Sequence, residues 1–202
     1  MPAKNEDLHG NAPDKSSVAL ILIDVINDLE FPEGEQLLRQ ALPMAKQIAA
    51  LKARAQAEGI PVIYVNDNFG RWRSDFNAHV EHCLRDGVRG CEITKLLRPD
   101  EDDYFVLKPK HSGFYSTTLD TLLRYLGAKT VILTGMAANI CVLFTANDAY
   151  MRDFHLVVPA DCVASNTTEE NNYALHQMQN VLKADVRPTA EISLKDLCKQ
   201  LG

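Results

Sequence analysis

Two hydrophobic rhythms alternate along this chain. Short, nearly unbroken aliphatic runs recur at residues 18–24, 60–66, 104–108, 130–133 and 154–159. Their length, and their lack of strict in-out alternation, predicts strands covered on both faces. Between them lie segments whose apolar residues fall at helical spacing. Residues 37–58 carry Leu38, Leu42, Ala45, Ile48, Ala49 and Ala55, and residues 117–125 carry Leu119, Leu122 and Leu123 with Leu126 just beyond. Residues 76–85 and 168–182 read as further helices, the latter with Thr167 as its cap. Gly59 and Gly127 are placed to stop the helices before them. Residues 87–103 form a connection with a short element at 93–97, residues 186–192 a last strand that Pro188 confines to an edge, and residues 193–201 a terminal helix. Strand, helix and strand in succession close as a right-handed crossover. The alternation therefore predicts an α/β fold: a three-layer α/β/α sandwich, Rossmann-like, around a mostly parallel sheet of about six strands. One domain spans 18–202, and the polar stretch 1–17 reads as a loose arm.

Open parallel sheets collect ligands at the carboxyl ends of their strands. Asp24, Lys108 and Cys141 each stand at or just past such an end, so strand order alone brings an acid, an amine and a thiol to one rim. Separately, each has a plainer reading. An Asp ending a strand is often a turn former, a Lys before Pro109 a solvated end, and a Cys among apolar residues a small buried side chain. Their convergence is what singles them out. Residues 129–152 read as a strand closed by Gly135, a small-residue turn, and a helix capped by Asn139 with Cys141 in its first turn. Unpaired N–H groups and the helix dipole there favour thiolate over thiol. After the second strand, residues 67–75 bring Asn68, Phe69, Arg71, Trp72 and Arg73 to the same rim as a pocket wall. Arg71 and Arg73 suit a substrate bearing an acid group. His111 reads as a surface or supporting residue, and Cys162, with no helix start after it, as a small buried one.

Three segments in order carry a resemblance. Gly-Met-Ala-Ala-Asn-Ile-Cys-Val at 135–142 resembles the nucleophile turn of the isochorismatase-like cysteine hydrolases, among them nicotinamidases and N-carbamoylsarcosine amidases. Ala-Leu-Ile-Leu-Ile-Asp at 19–24 resembles that family's first strand and catalytic Asp, and Leu-Lys-Pro-Lys-His-Ser-Gly-Phe at 107–114 its Lys segment. The similarity covers residues 18–165. It implies Cys141 as nucleophile, Asp24 as general base and then acid, and Lys108, rather than Lys110, as the stabilising cation. It also implies an oxyanion hole from the backbone N–H groups of Ala137 and Cys141, and a cis peptide between Met136 and Ala137. Phe31, Asn68, Phe69, Arg71, Trp72, Ser112, Phe114 and Asn139 become substrate-binding candidates. The chain also departs from the pattern. Where nicotinamidases carry a metal-binding Asp-x-His it reads Asp67-Asn68-Phe69, and His79 and His82 lie too far along to complete that set. Asp24-Val25-Ile26-Asn27-Asp28-Leu29 stands in place of Asp-x-Gln-x-Asp-Phe, which changes the pocket floor. The expectation is a hydrolase without metal or cofactor that cleaves a C–N bond of a small amide or carbamoyl compound through a thioester. The alternatives are vinyl-ether hydrolysis using Asp24, and a catalytically silent binding module. A dinucleotide site lacks its glycine fingerprint, since residues 24–31 contain no glycine.

A net charge of -6 and a pI of about 5.5 argue against an extended nucleic-acid surface. No stretch of the sequence is apolar enough to suggest a membrane span, and the first residues lack a secretory core. Five cysteines without CxxC spacing fit a reducing cytoplasm. Homo-oligomers are usual in the family resembled.

Overall fold

In the computed structural model, which describes residues 12–68, 75–85 and 87–199, the chain lays down β1 (Val18–Ile23), α1 (Gly34–Ala57) and β2 (Val62–Asp67). Then come α2 (Phe76–Cys83), α3 (Cys91–Leu96), β3 (Tyr104–Lys108), α4 (Leu119–Leu126) and β4 (Thr130–Met136). A wide π-helical turn, Ala138–Val142, leads into α5 (Leu143–Tyr150), followed by β5 (His155–Val157), β6 (Val163–Ala164), α6 (Thr168–Asn180) and α7 (Leu194–Lys199). The sheet has six strands, all pairings parallel, in the order β3-β2-β1-β4-β5 with β6 paired to the end of β4.

Every residue of β1 is fully buried, and its side chains divide between two cores. Val18, Leu20 and Leu22 join α1 residues such as Ala41, Ile48 and Leu51, whereas Ala19, Ile21 and Ile23 join Leu119, Leu123 and Leu126 of α4 and Ala146 and Ala149 of α5. A strand with helices on both faces must be apolar throughout, which accounts for the unbroken aliphatic runs. The three-layer sandwich is as expected.

Three local expectations need correcting. The last strand does not form over 186–192. Asp161 accepts from the Thr189 N–H at 3.0 Å and hydroxyl at 2.6 Å, and the Arg54 guanidinium donates to the Thr189 and Ile192 carbonyls at 3.0 and 2.7 Å. With its backbone satisfied by side chains the segment curls into a 3-10 turn, Thr189–Glu191, and the sixth strand is Val163–Ala164. Second, β4 does not stop at Gly135 but runs through it to Met136. Third, the polar arm is described only from Ala12, and its end is docked rather than loose: Tyr104 donates its hydroxyl to Asp14 at 2.6 Å, Lys15 bonds the Tyr125 carbonyl, and the Ser16 N–H bonds the Leu126 carbonyl at 2.9 Å.

Among the described residues no helix is long and apolar enough to cross a membrane.

Candidate active site

The chain winds outward from β1 to β2 and β3, then returns to place β4 on the other side of β1. In open α/β sheets such a reversal is where a crevice opens, and here it falls at the carboxyl ends of β1 and β4. Asp24 follows β1 into it in a left-handed conformation (φ 52°), and the Cys141 turn follows β4. Gly135 lets the two approach. It pairs with Ile23 at φ 112°, and a Cβ there would lie 2.0 Å from the Ile23 carbonyl oxygen, so no other residue fits this backbone. The peptide between Met136 and Ala137 is cis.

Lys108 arrives from farther away. Its strand lies two positions from β1, roughly 10 Å at ordinary strand spacing, and its long side chain crosses behind the end of β2. The ammonium, fully buried, stands 2.8 Å from Asp24 Oδ2, 3.5 Å from Cys141 Sγ and 3.6 Å from Asp67 Oδ2. Asp24 Oδ1 accepts the Asp67 N–H at 2.7 Å. The three residues that strand order placed on one rim thus meet around one ammonium. Asp67 completes the group. The sequence places it only in the pocket wall, whereas the register pairing it with Lys108 puts it at the same strand end.

Burial raises the Asp24 carboxyl above its ordinary value, against the opposing pull of Lys108 and of its hydrogen bonds to Cys141 and the Asp67 N–H. Lys108 also loses solvation, but Asp24 and Cys141 hold its proton more firmly still, and its pKa is raised. The Cys141 thiol is pushed up to about 12, by burial first and then by the Asp24 carboxylate, with Lys108 pulling the other way. This corrects the expectation of a resting thiolate. The helical turn is π-helical over Ala138–Val142, headed by Ala137 rather than Asn139, and Cys141 lies within it as expected. The resting site holds a thiol beside a proton acceptor.

The other candidates separate. Ala137 and Cys141 are partly exposed at the mouth of the turn. Asn139 is partly exposed too, but its N–H is tied to Ser165 Oγ at 3.2 Å. His111 is exposed, with Nδ1 3.9 Å from Cys141 Sγ and its ring 5.5 Å from that of Phe144. Asn68 donates its N–H to the Lys108 carbonyl at 3.1 Å. Phe31 packs, partly buried, on the α1-side core. Ser112 and Phe114 face inward: the Ser112 hydroxyl donates to Asp148, and the Phe114 ring is buried beneath the Arg152 guanidinium at 4.7 Å. Phe69, Arg71 and Trp72 lie outside the described residues. Cys162 is fully buried.

His79 and His82 are engaged elsewhere, on the Ile26 carbonyl at 2.8 Å and on Asp28 at 3.0 Å. Among the described residues no three His, Cys, Asp or Glu side chains gather as a metal site.

Comparison with known proteins gives consistent relatives. A family model described as an isochorismatase domain matches residues 18–191. The chain is 43% identical over 178 residues to the uncharacterized isochorismatase family protein YaaI of Bacillus subtilis, covering 88% of this chain and 97% of that protein. It is 30% identical over 189 residues to the ureidoacrylate amidohydrolase RutB of Methylorubrum extorquens, covering 80% of this chain and 74% of that one. Among solved structures, N-carbamoylsarcosine amidase from Thermoplasma acidophilum superposes with a TM-score of 0.63 at 31% identity, over 88% of this chain and 99% of that one.

Proposed function

The chain belongs to the isochorismatase family of hydrolases, and from that premise we propose that it is a cysteine-dependent amidohydrolase of small amides, ureido compounds foremost. The observation that carries this reading is the Lys108 ammonium held 2.8 Å from Asp24 and 3.5 Å from the Cys141 sulfur. A vinyl-ether hydrolase would need the acid but not the thiol. The two relatives named for an activity support the substrate class, since each name contains a ureido or N-carbamoyl group.

In the proposed reaction Asp24, whose raised pKa suits a proton acceptor, takes the thiol proton as sulfur attacks the carbonyl carbon. Lys108 balances the negative charge left on the acid and sulfur. The oxyanion is received by the Ala137 and Cys141 N–H groups. Asp24 then protonates the nitrogen, the C–N bond breaks, and ammonia leaves a thioester on Cys141, or a thiocarbamate when the substrate is a ureido compound. Water adds to that carbonyl while Asp24 takes its proton. The C–S bond breaks and the proton returns to sulfur.

Ammonia release from a panel containing 3-ureidoacrylate, N-carbamoylsarcosine and simple primary amides tests the reading. Turnover of at least one member is expected, with loss on the order of a thousandfold or more in both C141A and D24N. Full turnover by C141A alongside an inactive D24N would exclude the thioester route.

A further inference from the structure

We propose that one face of α5 is the template that sets the Lys108 to Cys141 distance, with Thr145 as its central positioning residue. This rests on the reading of Lys108 and Cys141 as partners in one site. The two come from β3 and β4, which are separated in the sheet by β2 and β1. The two strands do not pair directly, so the sheet relates their side chains only through the two strands between them. A second tie is present. Cys141, Thr145, Asp148 and Arg152 follow one another at spacings of four, three and four, along one helical face. The last three have their partners in the consecutive residues 112–114 of the segment that follows Lys108.

Thr145 is fully buried, and its hydroxyl is used in both directions. It donates to the carbonyl of Cys141 at 2.7 Å and accepts the N–H of Gly113 at 3.0 Å. One oxygen thus joins the backbone of the nucleophile to the backbone of the Lys segment. Gly113 permits the approach, since a Cβ there would lie 2.8 Å from Val65 Cγ1 and 3.5 Å from Thr145 Cγ2. Along the helix, Asp148 accepts the Ser112 hydroxyl, whose oxygen in turn accepts the Phe114 N–H at 3.1 Å. Farther on, Arg152 covers the Phe114 ring at 4.7 Å and is itself held 3.4 Å from Asp148 and 3.6 Å from Asp120 of α4. Ser112, Gly113 and Phe114 are therefore each seated by a residue of α5 or of the turn that ends it.

Thr145→Val keeps the shape and removes both hydrogen bonds. Two readouts distinguish positioning from simple stability: the iodoacetamide alkylation rate of Cys141 at fixed pH, followed by peptide mass spectrometry, and the split between kcat and KM for ammonia release. For T145V, alkylation is expected to slow several-fold as Lys108 loses its alignment with sulfur, and kcat to fall on the order of tenfold with KM changed less than twofold. T145S should retain most of both rates, and S112A, which loosens the other side of the same joint, should move them in the T145V direction. Wild-type alkylation and kcat in folded T145V and S112A, or a T145S variant as impaired as T145V, would overturn the proposal. Alkylation needs no substrate, so failure to find an amide that the wild type cleaves would count against the proposed reaction and leave this readout intact.

Discussion

At the scale of single residues, the site holds two carboxylates and one ammonium, with the ammonium and the Asp24 carboxylate buried. Lys108 is fully buried and Asp24 is 5% exposed, so each depends on the other for its charge. Lys108→Met leaves Asp24 as a buried, unpaired acid. It should lower unfolding stability at neutral pH by about 3 kcal/mol, and the deficit should shrink on acidification, because a protonated Asp24 needs no counter-ion. The sign follows from the wild type. A carboxyl whose folded pKa lies above its ordinary 3.8 favours the fold most below that value, and loses the contribution as pH rises through the folded pKa. Urea titrations of both proteins across acid to neutral pH measure this. Asp24 also holds the thiol proton in place. D24N should therefore bring the Cys141 alkylation midpoint down from about 12, while abolishing turnover, because the group removed is both the repelling charge and the proposed base. An unchanged midpoint would mean that burial alone sets it. The thiol's resting state was not legible in the sequence, since it depends on Asp24 meeting Cys141 across the crevice. That Asp24, Lys108 and Cys141 share a rim was legible, because each ends a strand of recognisable type.

At the scale of elements, the turn after β4 decides the geometry, and Gly135 decides the turn. Gly135→Ala requires a left-handed Ala and a Cβ 2.0 Å from the Ile23 oxygen, so it should cost at least about 2 kcal/mol and displace Asp24 from Cys141. Denaturant midpoints and Cys141 alkylation together would show both effects. α6 is closed by a full capping box, with Thr167 and Glu170 bonding each other's backbone N–H groups. T167A should therefore cost about 1 kcal/mol without altering thiol reactivity. That cap was visible in the sequence because its partners are local. The failed edge strand was not: 186–192 has the composition of a strand, but Asp161 and Arg54, distant in sequence, take its hydrogen bonds. The expected Asn139 cap is absent because the π-helical turn already begins at Ala138, with Ala137 at its head. The double use of Thr145 likewise appears only once α5 and the Lys segment are packed together.

At the scale of the whole molecule, the sheet's reversal between β1 and β4 creates the crevice, and the α5 face ties the far edge strand into it. Fold class followed from the sequence because buried parallel strands and amphipathic helices differ in period all along the chain. The substrate pocket did not, because it depends on loops from several strand ends, and Ser112 and Phe114 of the Lys segment turn inward to the scaffold. The central claim is that these separated elements make one nucleophilic site on Cys141. Acid-quenched intact-mass analysis during turnover of the best substrate from the amide panel tests it most directly. A transient mass increase equal to the substrate's acyl fragment, mapped to Cys141 and absent from C141A, is the expected result. Steady turnover by C141A at the wild-type rate, with no adduct on the native protein, would contradict it.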